Sequence, residues 1–139
     1  MGVQNYDREG AWNLMPRKTL KQKKQNRVQP LLKKLIGVED SEVIMGELEV
    51  VLADTVAEAP LPGKVYVYTY IAEKPDFLTD MYPVVQVMGV YEWGWTGMNL
   101  HIKKQRNYSF GRNVTPLYEL KPSEVQATLT LPLMQLYQS

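Results

Sequence analysis

His101 is the only histidine in the chain, so any proton-transfer chemistry of the familiar imidazole kind would turn on it. Two residues before it stands Asn99, and on an extended backbone the two share one face. A serine relay would also need a serine on a strained elbow. The serines at 41, 109, 123 and 139 lie in no Gly-x-Ser-x-Gly context. Cysteine is absent, which removes thiolate catalysis, zinc ribbons and disulfide frameworks together. A lone histidine has no spaced partner for a metal, and the acids between Glu39 and Glu49 match no calcium loop. Neither a Gly-x-x-x-x-Gly-Lys-[Ser/Thr] nor a Gly-x-Gly-x-x-Gly run occurs, so nucleotide cradles lack support. The expectation is a chain with no catalytic residue, no metal ligand and no cofactor, in which Gly94, Gly97, Asn99 and His101 hold a turn.

Binding chemistry has more to work with. Lys103, Lys104, Arg106 and Arg112 interleave with Tyr108 and Phe110, a mixture of phosphate-neutralising charge and ring faces that suits nucleic acid. The same residues also suit a solvated loop leaving a buried strand, with the two rings as its anchor. Net charge is only +1, yet it is strongly segregated. Eight cations and no acid lie from Arg17 to Lys34 (Arg17, Lys18, Lys21, Lys23, Lys24, Arg27, Lys33, Lys34), and seven acids and no cation from Glu39 to Glu58. A basic block can meet a polyanion, an acidic protein neighbour or its own acidic block. Tyr6 and Trp12 precede it in a stretch without sustained periodicity. Rings in such an arm are buried only against a partner surface, so Tyr6, Trp12 and the cations from Arg17 to Arg27 are the expected partner contacts.

The elements that would position these residues divide into three. Residues 1–30 read as an extended basic arm, separable enough that removing 2–28 should leave the rest folded. Residues 31–58 read as short helices: Leu31, Leu32, Leu35 and Ile36 follow Pro30 at helical spacing and stop at Gly37. Between 41 and 56 the apolar residues fit a helix slightly better than a strand. The Pro60-Leu61-Pro62-Gly63 run ends that region. Residues 64–139 read as a β body. Lys64–Ala72 alternates Tyr66, Tyr68 and Tyr70 against Val65, Val67, Thr69 and Ile71. Strands at Val84–Tyr91 and Trp95–Ile102 follow around an aromatic-glycine turn, then weaker ones at Val114–Leu120 and Val125–Leu131. The fold predicted is mainly β with short N-terminal helices, a small antiparallel barrel or rolled sheet. No apolar run approaches the roughly 20 residues of a membrane helix, and the first residues lack the order of a signal peptide.

Three segments, Lys64-Val65-Tyr66-Val67-Tyr68-Thr69-Tyr70, Met81-Tyr82-Pro83-Val84-Val85 and Gly94-Trp95-Thr96-Gly97-Met98-Asn99-Leu100-His101, are similar in order and spacing to a module of small virion proteins of contractile-tailed bacteriophages. Some of those proteins carry neck, tail or DNA-end-protecting labels. The resemblance covers residues 63–101; the turn at Asp80-Met81-Tyr82 and the Lys103–Arg112 segment depart from it. It implies a non-enzymatic assembly protein of the tail, baseplate or neck, made in the host cytoplasm and residing in the virion. Its partners would be other virion proteins in a symmetric multi-copy assembly. The alternative it implies is a nucleic-acid-binding protein that covers DNA ends.

Overall fold

A computed structural model describes residues 26–72, 79–110 and 114–136. Six strands, β1 (Val56–Ala57), β2 (Val65–Tyr70), β3 (Val84–Val90), β4 (Gly94–Asn99), β5 (Lys104–Ser109) and β6 (Val114–Leu120), form one antiparallel sheet in the order β1-β6-β2-β3-β4-β5. The alternation of β2 explains why this strand lies inside the sheet: its two parities are both apolar enough to be buried. Val67 packs with Val84, Tyr118 and Leu120 on one face, while Tyr66 and Tyr68 pack with Val85, Val87, Trp95, Tyr108 and Leu117 on the other.

The second face is a cluster of rings, and it dictates the sheet's shape. Tyr68 on β2 meets Tyr108 on β5 edge-on at 5.6 Å between centroids, and Tyr70 meets the same ring at 5.1 Å. Three strand spacings of about 4.8 Å would hold these strands roughly 14 Å apart in a flat sheet. The sheet therefore curls around the rings, helped by register shifts at Val67/Thr69 and Val87/Gly89. Two positions need glycine for this approach. A Cβ on Gly94, whose φ is +156°, would overlap the Tyr108 carbonyl oxygen, and one on Gly97 would overlap Val85 Cγ1.

Three helices cover the first face. The first, α1 (Gln29–Lys34), starts where the Asn26 side chain accepts the Val28 and Gln29 N–H groups at 2.9 and 2.8 Å, has Pro30 in its first turn, and finishes on Lys33 and Lys34. The second, α2 (Ser41–Val51), is capped by Asp40, which accepts the Glu42 N–H at 3.0 Å. It presents Ile44, Met45, Leu48 and Leu52 to the core. The third, α3 (Pro122–Thr130), opens with Pro122 and with Glu124 accepting the Lys121 N–H at 2.8 Å.

Glu124 also ties the two ends of the fold together. It is fully buried, and it takes the Arg27 guanidinium in a two-pronged pair, Nε to Oε2 at 2.7 Å and Nη2 to Oε1 at 2.8 Å, plus the Arg27 backbone N–H at 2.8 Å. Arg27 Nη1 reaches Asp54 at 2.6 Å and Thr55 at 3.0 Å. One guanidinium thus joins α1, α3 and the turn after α2. Burial pushes the Glu124 pKa up, but the hydrogen bonds from the Arg27 side chain and backbone and from Lys121 outweigh it, and the net shift is downward.

Four expectations change on these facts. The sheet curls but does not close into a barrel, since β1 and β5 remain its edges. Residues 26–30, expected in the arm, belong to the folded body; Val28 is completely buried and Arg27 is an internal link. Removal of 2–28 therefore takes out part of the core. Val125–Leu131 is helical where a strand was read, because the residues that go inward are Glu124, Ala127, Thr128 and Leu131, a helical spacing that the alternation of Val125, Ala127, Leu129 and Leu131 conceals. The run from Lys103 to Asn107, which suited a solvated exit loop or a nucleic-acid contact, lies mostly in a full strand, Lys104–Ser109, paired with β4 at every residue. The helical reading of 41–56 holds over Ser41–Val51.

Folding lowers the Glu124 pKa, so the pair's contribution is complete at neutral pH and is lost as pH falls below 4.5 through the folded-state value. Glu124→Gln is expected to lower stability by about 3 kcal/mol at neutral pH, since it removes the buried counter-charge of the guanidinium and leaves only the exposed Asp54 to balance it. Urea unfolding across pH checks this: the gap between variant and wild type should shrink as the solution is acidified below 4.5.

Candidate functional site

Two features of the β3–β4–β5 region concentrate the chain's chemistry: a buried polar knot at one end of the hairpin, and an uncovered group of rings at the other.

The knot begins with two short polar side chains that bond to the backbone just ahead of them. Asn99 Oδ1 accepts the N–H groups of His101 at 2.8 Å and Ile102 at 3.2 Å, which ends β4 and turns the chain through Lys103, at φ 57°, into β5. Asp80 Oδ1 accepts the Tyr82 N–H at 3.1 Å and the Gln135 N–H at 3.4 Å. Its other oxygen takes Asn99 Nδ2 at 3.2 Å and His101 Nδ1 at 2.7 Å. Asp80 and Asn99 are buried, and so is the His101 ring. Three remote segments, 80–82, 99–102 and 135–136, thus meet on one carboxylate, and an isolated bridge pairs Asp80 with Leu136.

This is the orienting half of a catalytic relay: a carboxylate on Nδ1, leaving Nε2 to act. Nε2, however, has no hydrogen-bond partner and is sealed from solvent. Among the described residues, no serine hydroxyl sits on it. A cleft of about 830 Å³ between α1, α3 and the segment after α3 touches His101, but Nε2 is not exposed to it. Among the described residues, no group of three or more His, Asp or Glu side chains could hold a metal ion. Tyr108 lies against the same knot; burial drives its hydroxyl pKa far up, with a hydrogen bond to Asn99 opposing.

At the far end, Tyr91 and Gly94 close a two-residue hairpin loop, with the Tyr91 N–H donating to Gly94 O at 2.7 Å and the Gly94 N–H to Tyr91 O at 3.3 Å. Tyr91 and Trp93 stack at 5.4 Å and 6° between planes, yet both rings are about half exposed. The Phe110 N–H donates to Trp93 O at 3.0 Å, and its exposed ring tilts against buried Trp95 at 5.5 Å. Tyr91, Trp93 and Phe110 form the exposed aromatic tip.

Of the residues singled out from sequence, Gly94, Gly97, Asn99 and His101 fall where a turn and a close strand pair need them. Tyr6, Trp12, Arg17, Lys18, Lys21, Lys23, Lys24 and Arg112 lie outside the described residues. Arg27 points inward to Glu124 and Asp54. Lys103 and Lys104 are exposed, Arg106 is half-buried, and Tyr108 is buried at 3 %. Tyr108 is therefore a core ring and offers no face for stacking on a base. The register also separates the charges from the rings, since Lys104 pairs with Asn99 at one end of β5 while Ser109 pairs with Gly94 at the other. Sequence reading missed Asp80, whose signal was its place two residues before Tyr82-Pro83, and it missed Tyr91 and Trp93 as a surface pair.

Comparison with known proteins finds no matching family model, no matching characterised protein and no matching solved structure. No helix among the described residues is long and apolar enough to cross a membrane.

Asp80→Ala should cost more than His101→Ala, because it leaves two backbone N–H groups, an amide and an imidazole without their acceptor. Expected losses are about 3 kcal/mol or more for Asp80→Ala and about 1–3 kcal/mol for His101→Ala. Chemical denaturation midpoints check the order; equal losses would mean that the carboxylate's backbone contacts contribute little.

Proposed function

We propose that this protein is a non-enzymatic assembly subunit, part of the virion of a contractile-tailed bacteriophage, which docks on neighbouring subunits through the aromatic tip of its β3–β4 hairpin. The observation that carries the reading is the Tyr91–Trp93 stack, two large rings half-exposed beside Phe110 on a locked turn. Tyrosine and tryptophan are the side chains that most often anchor protein interfaces. Here they are stacked before any partner arrives, so little freedom remains to be lost on docking. The sealed Nε2 of His101 supports a structural role for the Asp80 knot. The virion setting rests on the resemblance of residues 63–101, and with it the synthesis in the host cytoplasm and the symmetric, multi-copy partners.

Tyr91→Ala/Trp93→Ala is expected to keep the wild-type unfolding midpoint within about 1 kcal/mol, because both rings are surface groups, and to lose incorporation when it replaces the wild-type chain during particle assembly. Quantifying the chain in purified particles measures this. Full incorporation of the double variant would overturn the docking role. If the wild-type chain also bound duplex ends with steep salt dependence, coverage of DNA ends would take its place.

A further inference from the structure

We infer that the outer edge of β5 is a strand-addition site for an extended acidic segment of a neighbouring protein; this rests on the docking reading above and gives the chemistry of the partner. The sheet has two edges, and β1 is only two residues long, which leaves β5 as the edge with room for a ladder. The bond from the Phe110 N–H to Trp93 O fixes which backbone groups of β5 face inward. In an antiparallel pair these alternate, and the β4–β5 register is unbroken from Gly94↔Ser109 to Asn99↔Lys104. Tyr108, Arg106 and Lys104 thus turn their backbone groups toward β4. Gln105, Asn107 and Ser109 turn theirs outward. All three are exposed.

A row of alternating N–H and C=O groups selects a polypeptide, because a phosphate backbone has no donors for the carbonyls. Charge then selects the kind of polypeptide. Lys103 and Lys104 stand exposed at one end of the edge, and the Phe110 and Trp93 rings at the other. Edge lysines commonly repel neighbouring sheets, but that repulsion is selective, excluding basic strands and admitting acidic ones. Lys104 and Phe110 share the parity of Tyr108, so one face of an added strand would carry carboxylates near Lys104 and an apolar side chain against Phe110.

The test uses a fluorescein-labelled peptide, Ile-Thr-Val-Thr-Glu-Thr-Glu, and the same peptide with lysine in place of glutamate. Fluorescence anisotropy should show the acidic peptide binding the wild-type chain and binding about tenfold or more weaker to Asn107→Pro, which removes one outward donor at an edge position. Lys103→Glu/Lys104→Glu should invert the preference between the two peptides. The acidic peptide should also slow hydrogen exchange at the Gln105, Asn107 and Ser109 amides. If Asn107→Pro fails to fold, the charge reversal and the exchange measurement decide. No binding at millimolar peptide, equal affinity for both peptides, or unchanged exchange at those amides would overturn the inference. So would a concentration-dependent dimer that Asn107→Pro dissolves, which would assign the edge to a second copy, or tight duplex binding that the charge reversal abolishes. Loss of particle incorporation in Tyr91→Ala/Trp93→Ala but not in the charge-reversal variant would leave docking standing and strand addition overturned.

Discussion

A guanidinium buried against a carboxylate has few tolerable positions, and the rest of this fold is arranged around one such pair. Arg27 and Glu124 satisfy each other in two parallel bonds, and the remaining donors go to Asp54, Thr55 and the Glu119 carbonyl. That geometry fixes α1 against α3 and both against the end of β6. The core beneath contains Val28, Leu31, Ala127 and Leu131; it is the apolar floor that makes the pair dry and therefore strict. Asn26 reinforces the same junction by donating to the Ser123 carbonyl at 2.6 Å while its oxygen starts α1. The polar groups supply position and the apolar groups supply most of the driving force.

The opposite face of the sheet follows a different logic. Rings on β2, β4 and β5 can touch only if the strands between them bend, and bending brings backbones close enough that Gly94 and Gly97 have no room for a Cβ. Packing is tight enough to leave the Tyr68 hydroxyl and the Trp95 indole N–H buried without partners, a cost that the surrounding edge-on and stacked ring contacts must offset. The curled sheet then carries the hairpin as a stiff arm, with the Asp80 knot fixing its base and the Tyr91–Trp93 stack at its tip. Rigidity at the base is what gives the tip a defined direction.

Strands with two apolar parities were legible because their pattern is local: β2, β3 and β6 were read within two residues of their bounds, whereas β4 was read three residues too long, past the turn that Asn99 makes. The proline start of α1 and its stop before Gly37 were legible for the same reason. Where a residue's role depended on a partner far along the chain, the sequence was silent. Arg27 sits in a run of cations and reads as solvated until Glu124 is seen beside it. Glu124 itself looks like one surface acid among many. Lys104–Ser109 is polar because it is an edge strand with one buried ring, so it lacks the alternation that marks an interior strand. The Asp80–His101 contact joins residues 21 positions apart across a turn, and no spacing rule announces it. A barrel or a rolled sheet was expected from the number of short strands and the turns between them, and those signals do not decide between the two, since closure depends on whether the outer strands meet.

The separation of Arg27 from Glu124 by 97 positions also sets a clock. A ribosome adding about 5–20 residues per second finishes Arg27 roughly 5–20 s before it reaches Glu124. During that interval α1 has its apolar side chains, Val28, Leu31 and Leu35, but not the helix they pack against. The nascent chain therefore passes through a window in which α1 is exposed to chaperones, proteases and other nascent chains, and a codon-level change in elongation rate between the two residues would lengthen or shorten that window without altering a single side chain.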